Sequence, residues 1–398
     1  MGSIAVIVLC GCLISLTTFG VRSVFGLFTV PLSTAHGWDR EIFSFAIALQ
    51  NLMWGVGQPI AGAIADRFGS ARVLVVGILL YGVGLVVMAG ASTPLSMQLG
   101  GGVLVGLGVA GSSFGIMMAA VARLLPEEKR SWAYGVVTAA ASLGQFLFAP
   151  LGRAFISNYG WATALLLLAL CVSVAMIFIL PLRGRGETQT STEPQLSLGQ
   201  ALRLASADSS YRFLVVGFFV CGFQLAFIGT HLPPYLTDQG ISVETAAWVL
   251  GLIGLSNVVG CYYSGVLGAL FPKRYLLSAL YLSRAAAITI FMLVPLSPSS
   301  AFLFAFVLGF LWLSTVPLTN GLVVSRFGTR YMATLFGVVF MSHQIGSFSG
   351  VWLGGIAFDR TGSYDAIWWA SVALGVFAAL MHMPIREQLA KGFENAAA

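Results

Sequence analysis

Two stretches of this sequence share one pattern: residues 135–160 read GVVTAAASLGQFLFAPLGRAFISNYG, and residues 337–362 read GVVFMSHQIGSFSGVWLGGIAFDRTG. At a separation of 202 residues, eight positions are identical. The identical pairs are Gly135/Gly337, Val136/Val338, Val137/Val339, Gly144/Gly346, Phe146/Phe348, Leu151/Leu353, Gly152/Gly354 and Gly160/Gly362. The matches therefore indicate a duplicated apolar unit with conserved spacing of its glycines.

The duplication extends to other parts of the chain. At a separation of 203 residues, Gly57 aligns with Gly260, Gly62 with Gly265, and Gly106 with Gly309. Glycines on apolar helices let neighbouring helices approach closely. We therefore predict two parallel repeats of six helices, an arrangement that places a binding site at the interface of the repeats, near the middle of the bilayer.

The composition is that of a membrane protein. Hydrophobic residues make up 58% of the chain, charged residues 9%, and the mean hydropathy is +0.91, whereas ordinary soluble domains carry roughly 25% charged residues. About 20 apolar residues cross ~30 Å of hydrocarbon. Twelve stretches are long enough, and we number them spans 1 to 12: 4–33, 41–65, 71–91, 96–122, 132–155, 161–182, 212–237, 245–270, 275–295, 300–323, 333–357 and 364–384. The predicted fold class is an all-α membrane protein with twelve transmembrane helices.

A long polar segment divides the spans into two groups of six. Its first part, RGRGETQTSTEPQ from residue 183, has the composition of a flexible linker, and the following LSLGQALRLASADSS predicts a short amphipathic helix on the membrane surface. We predict an N-terminal bundle over 1–182, this linker over 183–211, a C-terminal bundle over 212–385 and a tail over 386–398.

The basic residues predict the orientation. If the N-terminus is cytoplasmic, most arginines and lysines at the span ends are cytoplasmic too, and only Arg40, Arg153 and Arg360 lie at outer ends. The excess of positive charge on one side predicts that both termini face the cytoplasm. We expect a multi-pass protein of the inner (plasma) membrane, with the lipid bilayer as its surroundings.

No pattern in the sequence indicates catalysis or a cofactor. The five cysteines lie in apolar stretches without metal-ligand spacing, and no Walker sequence or nucleophile constellation occurs. The net charge of +6 comes from basic residues scattered over short loops. We therefore expect no enzyme activity, no cofactor, no metal and no nucleic-acid partner.

The segment that joins spans 2 and 3 resembles a signature of the major facilitator superfamily. It reads Gly62-Ala-Ile-Ala-Asp66-Arg67-Phe-Gly69-Ser-Ala-Arg72. The resemblance implies that Gly62, Asp66, Arg67, Gly69 and Arg72 form a cytoplasmic gate, and that the protein works as a monomer. The match departs from the family at Ser70 and Ala71, where basic residues usually stand.

Two further segments are similar to the monocarboxylate-transporter and oxalate/formate-exchanger branch. Span 1 contains FGVRSVFGLF at 19–28 followed by HGW at 36–38, and span 5 begins KRSWAYG at 129–135, with AAS at 140–142 and APL at 149–151. The Asp/Arg pair that many monocarboxylate carriers place on span 8 is missing. Asn257, Tyr262 and Tyr263 occupy that region here.

Two arginines lie inside the predicted spans, Arg22 in span 1 and Arg284 in span 9. An arginine in the bilayer centre costs at least ~2.5 kcal/mol on insertion scales, so each should face a cavity or a partner. No aspartate or glutamate occurs in the interior of any span. This unbalanced positive charge favours an anionic substrate, which an arginine would bind through paired hydrogen bonds to a carboxylate. The other interpretation is an arginine bonded to carbonyl groups of neighbouring helices.

Polar residues near the middle of other spans complete the predicted substrate site. His343 and Gln344 lie midway along span 11, and His343 is a candidate for substrate binding or proton relay. The further predicted lining residues are Asn51, Trp54, Gln145, Asn257, Tyr262 and Asn320. Each of these is also compatible with a plain contact between helices.

The leading hypothesis is alternating-access transport of a small organic anion, a monocarboxylate or short dicarboxylate, as proton symport or anion exchange. A drug/proton antiporter is the alternative, because Gly135-x8-Gly144 followed by Ala149-Pro150 partly resembles the antiporter signature. Gly102 stands where the proton-linked arginine of that group would be. A membrane sensor or scaffold without transport is a third hypothesis.

Overall fold

The computed structural model describes residues 4–113, 115–117, 120, 124–125, 127–182, 197–328, 331–390 and 393. Within these ranges the chain is helical and contains no strand. Hydrocarbon offers no hydrogen bonds to a polypeptide backbone, so a helix, which satisfies its own backbone groups, is the expected form of a spanning segment.

The first six spans follow one another with short connections. Span 1 is Ile4–Ser23 and continues as Phe25–Phe28 and Thr29–His36; span 2 is Arg40–Phe68, span 3 is Ser70–Ala89, and span 4 runs through Pro94–Met97, Gln98–Leu104 and Val105–Gly111. Spans 5 and 6 form one assigned helix, Glu127–Val174, that ends in Ala175–Leu182. Inside it Gly160 has φ +78°, which glycine adopts without strain and other residues rarely do. The chain turns at Gly160, so this helix is two spans.

The second six spans repeat this order. They are Ser209–Asp238, Val243–Leu270, Lys273–Leu293, Pro298–Leu311 with Thr315–Phe327, Met332–Thr361, and Asp365–His382. Span 10 is thus divided at residues 312–314, where a single continuous helix was predicted. The predicted amphipathic helix is Leu198–Ala207, whose Ala201 and Ala205 are buried in the second half. Residues 183–196 of the predicted linker lie outside the described residues.

Nine of the described helices are long and apolar enough to cross a membrane. Spans 5 and 6 count once among them, as 135–182. Spans 2 and 11 are long enough but less apolar, because they carry the polar residues predicted to line the site. The prediction of an all-α membrane protein with twelve helices is confirmed.

The buried apolar residues form two clusters. One comprises residues of spans 1 to 6 together with Ala247, Leu250 and Val351, and the other comprises residues between 201 and 393. The few residues of the second half that join the first cluster belong to spans 8 and 11, which pack against spans 5 and 2. Spans 2, 5, 8 and 11 therefore form the interface between the halves.

The duplicated glycines make equivalent close contacts in the two halves. A side chain at Gly144 of span 5 would overlap the carbonyl oxygen of Leu16 in span 1, and one at Gly346 of span 11 would overlap that of Phe219 in span 7. Gly135 and Gly337 lie nine positions earlier on the same two helices, and a side chain at either would meet no described atom within 4 Å. The repeat thus preserves a contact between backbones as well as a residue type.

We expect Gly144→Ala and Gly346→Ala to destabilise the protein by about 1–3 kcal/mol each, the usual cost of overpacking, because two backbones must separate to admit one methyl group. Gly135→Ala and Gly337→Ala, on the same two helices, are the matched controls and should leave the protein as stable as the parent. Thermal unfolding of the purified protein in detergent measures both sets. Equal effects in the two sets would contradict the packing explanation.

Candidate functional site

Arg22 is near the end of the helix Ile4–Ser23 of span 1, where its side chain packs against span 2 and is only partly buried. Its Nη2 donates to Oδ1 of Asn51 at 2.5 Å, and its guanidinium carbon lies 4.7 Å from the centre of the Trp54 ring. Asn51 and Trp54 are three residues apart on one helix and so share a face. The amide of Asn51 is oriented by a hydrogen bond from its Nδ2 to the carbonyl oxygen of Ile47. These contacts hold a cation at the interface of the halves.

Arg22 has no acidic partner. No carboxylate of the described residues lies within salt-bridge distance of it, and its Nε, although buried, makes no hydrogen bond with them. The crevice beside it is too narrow to admit a water molecule. Its lining residues are Thr18, Phe19, Arg22, Val109 and Ser112. Side chains must move before a ligand can enter.

A row of aromatic rings leads from Arg22 across to span 11. Phe19 meets Trp54 edge to face at 6.2 Å between ring centres, and Trp54 meets Phe340 at 5.1 Å and 69°. Phe340 stacks on His343 at 5.7 Å with the two planes 6° apart. The row contains the predicted residues Trp54 and His343. It also contains Phe19 and Phe340, which were not predicted as lining residues.

Gln344 is fully buried, and neither its Nε2 nor its Oε1 has a hydrogen-bond partner in the described part of the chain. Its side chain lies against Gly55, the residue after Trp54. The indole Nε1 of Trp54 is likewise buried and unpaired. Leaving a buried polar group without a partner costs roughly 1–3 kcal/mol. The Trp54 indole lies against Arg22 and the Gln344 amide against the next residue of span 2, so a ligand bound there could satisfy both groups.

Arg284 is in a different situation, because protein atoms already bind it. It is fully buried, and its Nε and Nη2 donate to the carbonyl oxygen of Leu311 at 3.1 and 2.6 Å. Its Nη2 also donates to the carbonyl oxygen of Trp312, and its Nη1 to Sγ of Cys221 at 3.5 Å. The carbonyl groups at the end of a helix have no partner within it. Arg284 supplies a donor for these carbonyl groups where span 10 is divided. This is the arrangement named above as the other interpretation, an arginine bonded to carbonyl groups of a neighbouring helix, and it leaves no opening for a substrate in this conformation.

Asn257 and Gln145 join spans 5, 8 and 10. Asn257 donates to Oγ of Ser142 and accepts from the backbone N–H of Leu313, both at 2.9 Å. Nε2 of Gln145 donates to the carbonyl oxygen of Leu250 at 3.2 Å. Asn257 therefore satisfies a backbone group in the division of span 10, as Arg284 does. In this conformation both predicted lining residues act as contacts between helices.

Tyr262 is 69% exposed, contrary to the prediction that it lines the site. It shares an exposed apolar stripe of span 8 with Leu255, Val259 and Val266, and a stripe of this kind faces lipid in a membrane. The buried polar residues Asn257 and Ser264, seven residues apart, mark the inner face of span 8, and Tyr262 lies about 140° around the helix from Asn257. Asn320 is half-buried, with its Oδ1 buried and unpaired.

The site is closed at the end of the bundle that carries Arg40. Arg40 of span 2 binds both carboxylate oxygens of Asp238 at 2.5 and 2.7 Å, and Tyr364 accepts a further hydrogen bond from it. Asp359 of span 11 accepts hydrogen bonds from the backbone N–H groups of Arg40 and Glu41 at 3.0 and 2.6 Å. A carboxylate of the second half thus binds the N-terminus of span 2 in the first half. We call this group the Arg40 latch. The sequence showed charged residues at span ends but not which ends meet.

At the opposite end, the halves do not meet at four glycines. A side chain added at Gly62, Gly337, Gly135 or Gly265 would meet no described atom within 4 Å. Gly62 follows Gly55 by seven residues, and Gly337 precedes Gln344 by seven, so each continues a face that makes contact nearer the middle. Among the described residues, the bundle is therefore closed at one end and open at the other.

The predicted gate residues lie at this open end. Gly69 has φ +93° and joins spans 2 and 3, while Arg67 and Arg72 are exposed. Nη1 of Arg72 donates to the carbonyl oxygen of Phe68 at 3.3 Å. The Asp66 side chain lies outside the described part of the structure. The gate role of Gly62, Asp66, Arg67, Gly69 and Arg72 remains a prediction.

Two similar helical halves that meet at one end and separate at the other, with a cation between them that has no acidic partner among the described residues, are typical of a membrane transporter. The sequence profile of the Major Facilitator Superfamily matches residues 10–351. The chain belongs to this superfamily.

Relatives and solved structures agree with this assignment. The MFS-type transporter YcxA of Bacillus subtilis (strain 168), itself uncharacterized, is 24% identical over 352 residues, covering 86% of this chain and 85% of the relative. Monocarboxylate transporter 13 of Rattus norvegicus is 26% identical over 355 residues, covering 88% and 82%. A bacterial homologue of the human lysosomal transporter Spinster, in an inward-facing and unoccupied conformation, has a TM-score of 0.77 at 16% identity, with 100% and 99% coverage. The D-xylose–proton symporter has a TM-score of 0.76 at 16% identity, with 97% and 99% coverage. At such identities the two structures show a common fold only.

The two arginines should respond differently to removal. We expect Arg284→Ala to destabilise the protein strongly, since each carbonyl group left without a donor costs ~1–3 kcal/mol. Arg22→Ala should leave stability nearly unchanged, because Arg22 has a single hydrogen bond to the described residues. Thermal unfolding of the two variants in detergent tests this. A larger loss from Arg22→Ala than from Arg284→Ala would contradict the assignment of roles.

The Arg40 latch should keep its end of the bundle shut. Ser44 is fully buried against Gly355 just inside the latch. In a cysteine-free background, we expect Arg40→Ala to increase several-fold the rate at which Ser44→Cys reacts with a membrane-impermeant maleimide. Arg360→Ala removes an exposed arginine at the same end and serves as the control. An unchanged rate in Arg40→Ala would show that the latch does not hold the closed state.

Proposed function

We propose that the protein transports a small organic anion by alternating access, and that Arg22 binds the carboxylate of this substrate. The observation that carries the proposal is the partly buried guanidinium of Arg22, which has no acidic partner in the described structure and lies against Trp54, whose buried indole N–H has no partner there either. Relatives named monocarboxylate transporters support the choice of substrate class.

Charge balance favours an anion over other substrates. A charge removed from water without a counter-ion is costly, and one that is paired and hydrogen-bonded is much less so. A carboxylate would bind the N–H groups of Arg22 that Asn51 leaves free, by the paired hydrogen bonds that suit arginine. A cationic substrate would instead meet repulsion from Arg22.

The interiors of the spans contain no aspartate or glutamate that could carry a proton coupled to transport. We propose either exchange of one anion for another, or symport of a proton bound by His343 or by the substrate itself. His343 is half-buried, and its Nδ1 lies 3.5 Å from Oγ of Ser347. Transport by a monomer is part of the proposal, since each half contributes to a single site.

The orientation and the domain limits are also proposals. The distribution of basic residues supports cytoplasmic termini and a position in the inner (plasma) membrane. With this orientation the Arg40 latch is outside, and the structure is closed to the outside and open to the cytoplasm. Rocking of the 1–182 bundle against the 212–385 bundle would separate the latch and bring Gly62 against Gly337 and Gly135 against Gly265.

A drug/proton antiporter is the weaker alternative. The position of the arginine in that class is Gly102, where a side chain would collide with Leu49 of span 2. That position therefore has no room for a proton-linked side chain.

Small carboxylates should raise the unfolding temperature of the purified protein, since a ligand that binds only the folded state stabilises it. We expect Arg22→Gln to weaken this binding by about ten- to a hundredfold, because a hydrogen bond to a charged group contributes ~1.5–3 kcal/mol. Arg72→Gln, which removes an exposed arginine, is the control and should bind as the parent does.

Two outcomes would contradict the proposal. One is an Arg22→Gln variant that responds to carboxylates as strongly as the parent. The other is stabilisation by lipophilic cations and by no carboxylate, which would favour the antiporter. If a carboxylate does stabilise the protein, its uptake into proteoliposomes preloaded with the same compound would measure transport itself.

A further inference from the structure

Resting on the proposed function, we infer that the substrate is an aromatic monocarboxylate: one carboxylate held by Arg22, attached to a planar apolar body that lies against the Phe19–Trp54–Phe340–His343 row. Two independent features of the site carry this inference. They are the number of cations available to the substrate and the chemistry of the walls.

The cations limit the substrate to one negative charge. Arg22 and Arg284 are the arginines inside the spans, and Arg284 is occupied by two carbonyl oxygens and a thiol. A second carboxylate would be buried without a partner, which removes more free energy than the remaining contacts return. A short dicarboxylate, one of the options that the sequence left open, therefore fits poorly.

The walls favour an aromatic body. From Arg22 onward the successive ring contacts are 4.7, 5.1 and 5.7 Å, and they connect span 1 through span 2 to span 11. Phe336 and Phe218 extend this surface, at 6.3 Å from Phe340 and 5.1 Å from His343. Aromatic rings attract one another in edge-to-face and offset geometries beyond simple burial. A two- or three-carbon acid bound to Arg22 would leave most of this surface uncovered.

Gln344 adds a polar amide to the largely apolar surface formed by the row. Its amide is fully buried, presents one unpaired donor group and one unpaired acceptor, and lies beside the residue that follows Trp54. A neutral ring substituent that both donates and accepts, such as a hydroxyl group, would satisfy both atoms. A second charged group would not.

The test compares phenylacetate, 4-hydroxyphenylacetate, L-lactate and succinate by calorimetric titration of the purified full-length protein. We expect the two aromatic acids to bind at least tenfold more tightly than lactate, and succinate to bind more weakly than either aromatic acid. Phe340→Leu should remove most of the aromatic advantage while lactate binding stays as it was. Phe348→Leu is the matched control, because Phe348 is an aromatic residue of the same helix that packs on Phe45 and Trp352, outside the row.

The outcomes separate this inference from the proposed function. If lactate or succinate binds as tightly as the aromatic acids and Arg22→Gln abolishes that binding, the aromatic inference fails and the anion transporter stands. If Phe340→Leu and Phe348→Leu have equal effects, the row is not the binding surface and the inference also fails. If no carboxylate binds, or if Arg22→Gln binds the carboxylates as tightly as the parent does, both proposals fail.

Discussion

A guanidinium group surrounded by hydrocarbon must be hydrogen-bonded, and the rest of this structure depends on how two arginines meet that requirement. Arg284 meets it within the protein, through carbonyl groups that a divided helix leaves free. Arg22 meets it only in part, through Asn51 and the face of Trp54. The first arrangement stabilises the fold, and the second leaves binding capacity for a ligand.

The division of span 10 shows how a membrane protein tolerates irregular backbone. Residues 312–314 interrupt the helix, yet the groups they expose are bound by residues of two other helices. Arg284 of span 9 binds carbonyl groups, while in span 8 Asn257 accepts from the N–H of Leu313 and Ser264 donates to the carbonyl oxygen of Ser314. Non-helical backbone at membrane depth requires such partners because lipid supplies none. The polar residues of spans 8 and 9 are thus explained by the geometry of span 10.

The sequence predicted what depends on local pattern. The twelve spans, including the break between spans 5 and 6, and the duplication follow from apolar length and glycine spacing, and the equivalent contacts of Gly144 and Gly346 give that duplication a physical meaning. The pairing of Arg22 with Asn51 and Trp54 joins residues that had each been selected for polarity or charge within an apolar span.

The features that were missed depend on contacts between distant parts of the chain. The Arg40 latch joins residues 198 to 324 positions apart, and no local pattern shows which span ends meet. Phe340 is an ordinary apolar residue until the packing of spans 2 and 11 places it on Trp54. Tyr262 was the exception, because the helical period from Asn257 and Ser264 already places it away from the buried face of span 8.

The partnership of Arg284 with span 10 has a consequence for how the chain enters the membrane during synthesis. Arg284 and its acceptors at Leu311 and Trp312 are separated by 27 and 28 residues, so span 9 emerges from the ribosome before the groups that neutralise it. A lone helix with a central arginine partitions poorly into lipid. Spans 9 and 10 are therefore expected to leave the translocation channel together, as a hairpin whose second arm is needed to retain the first.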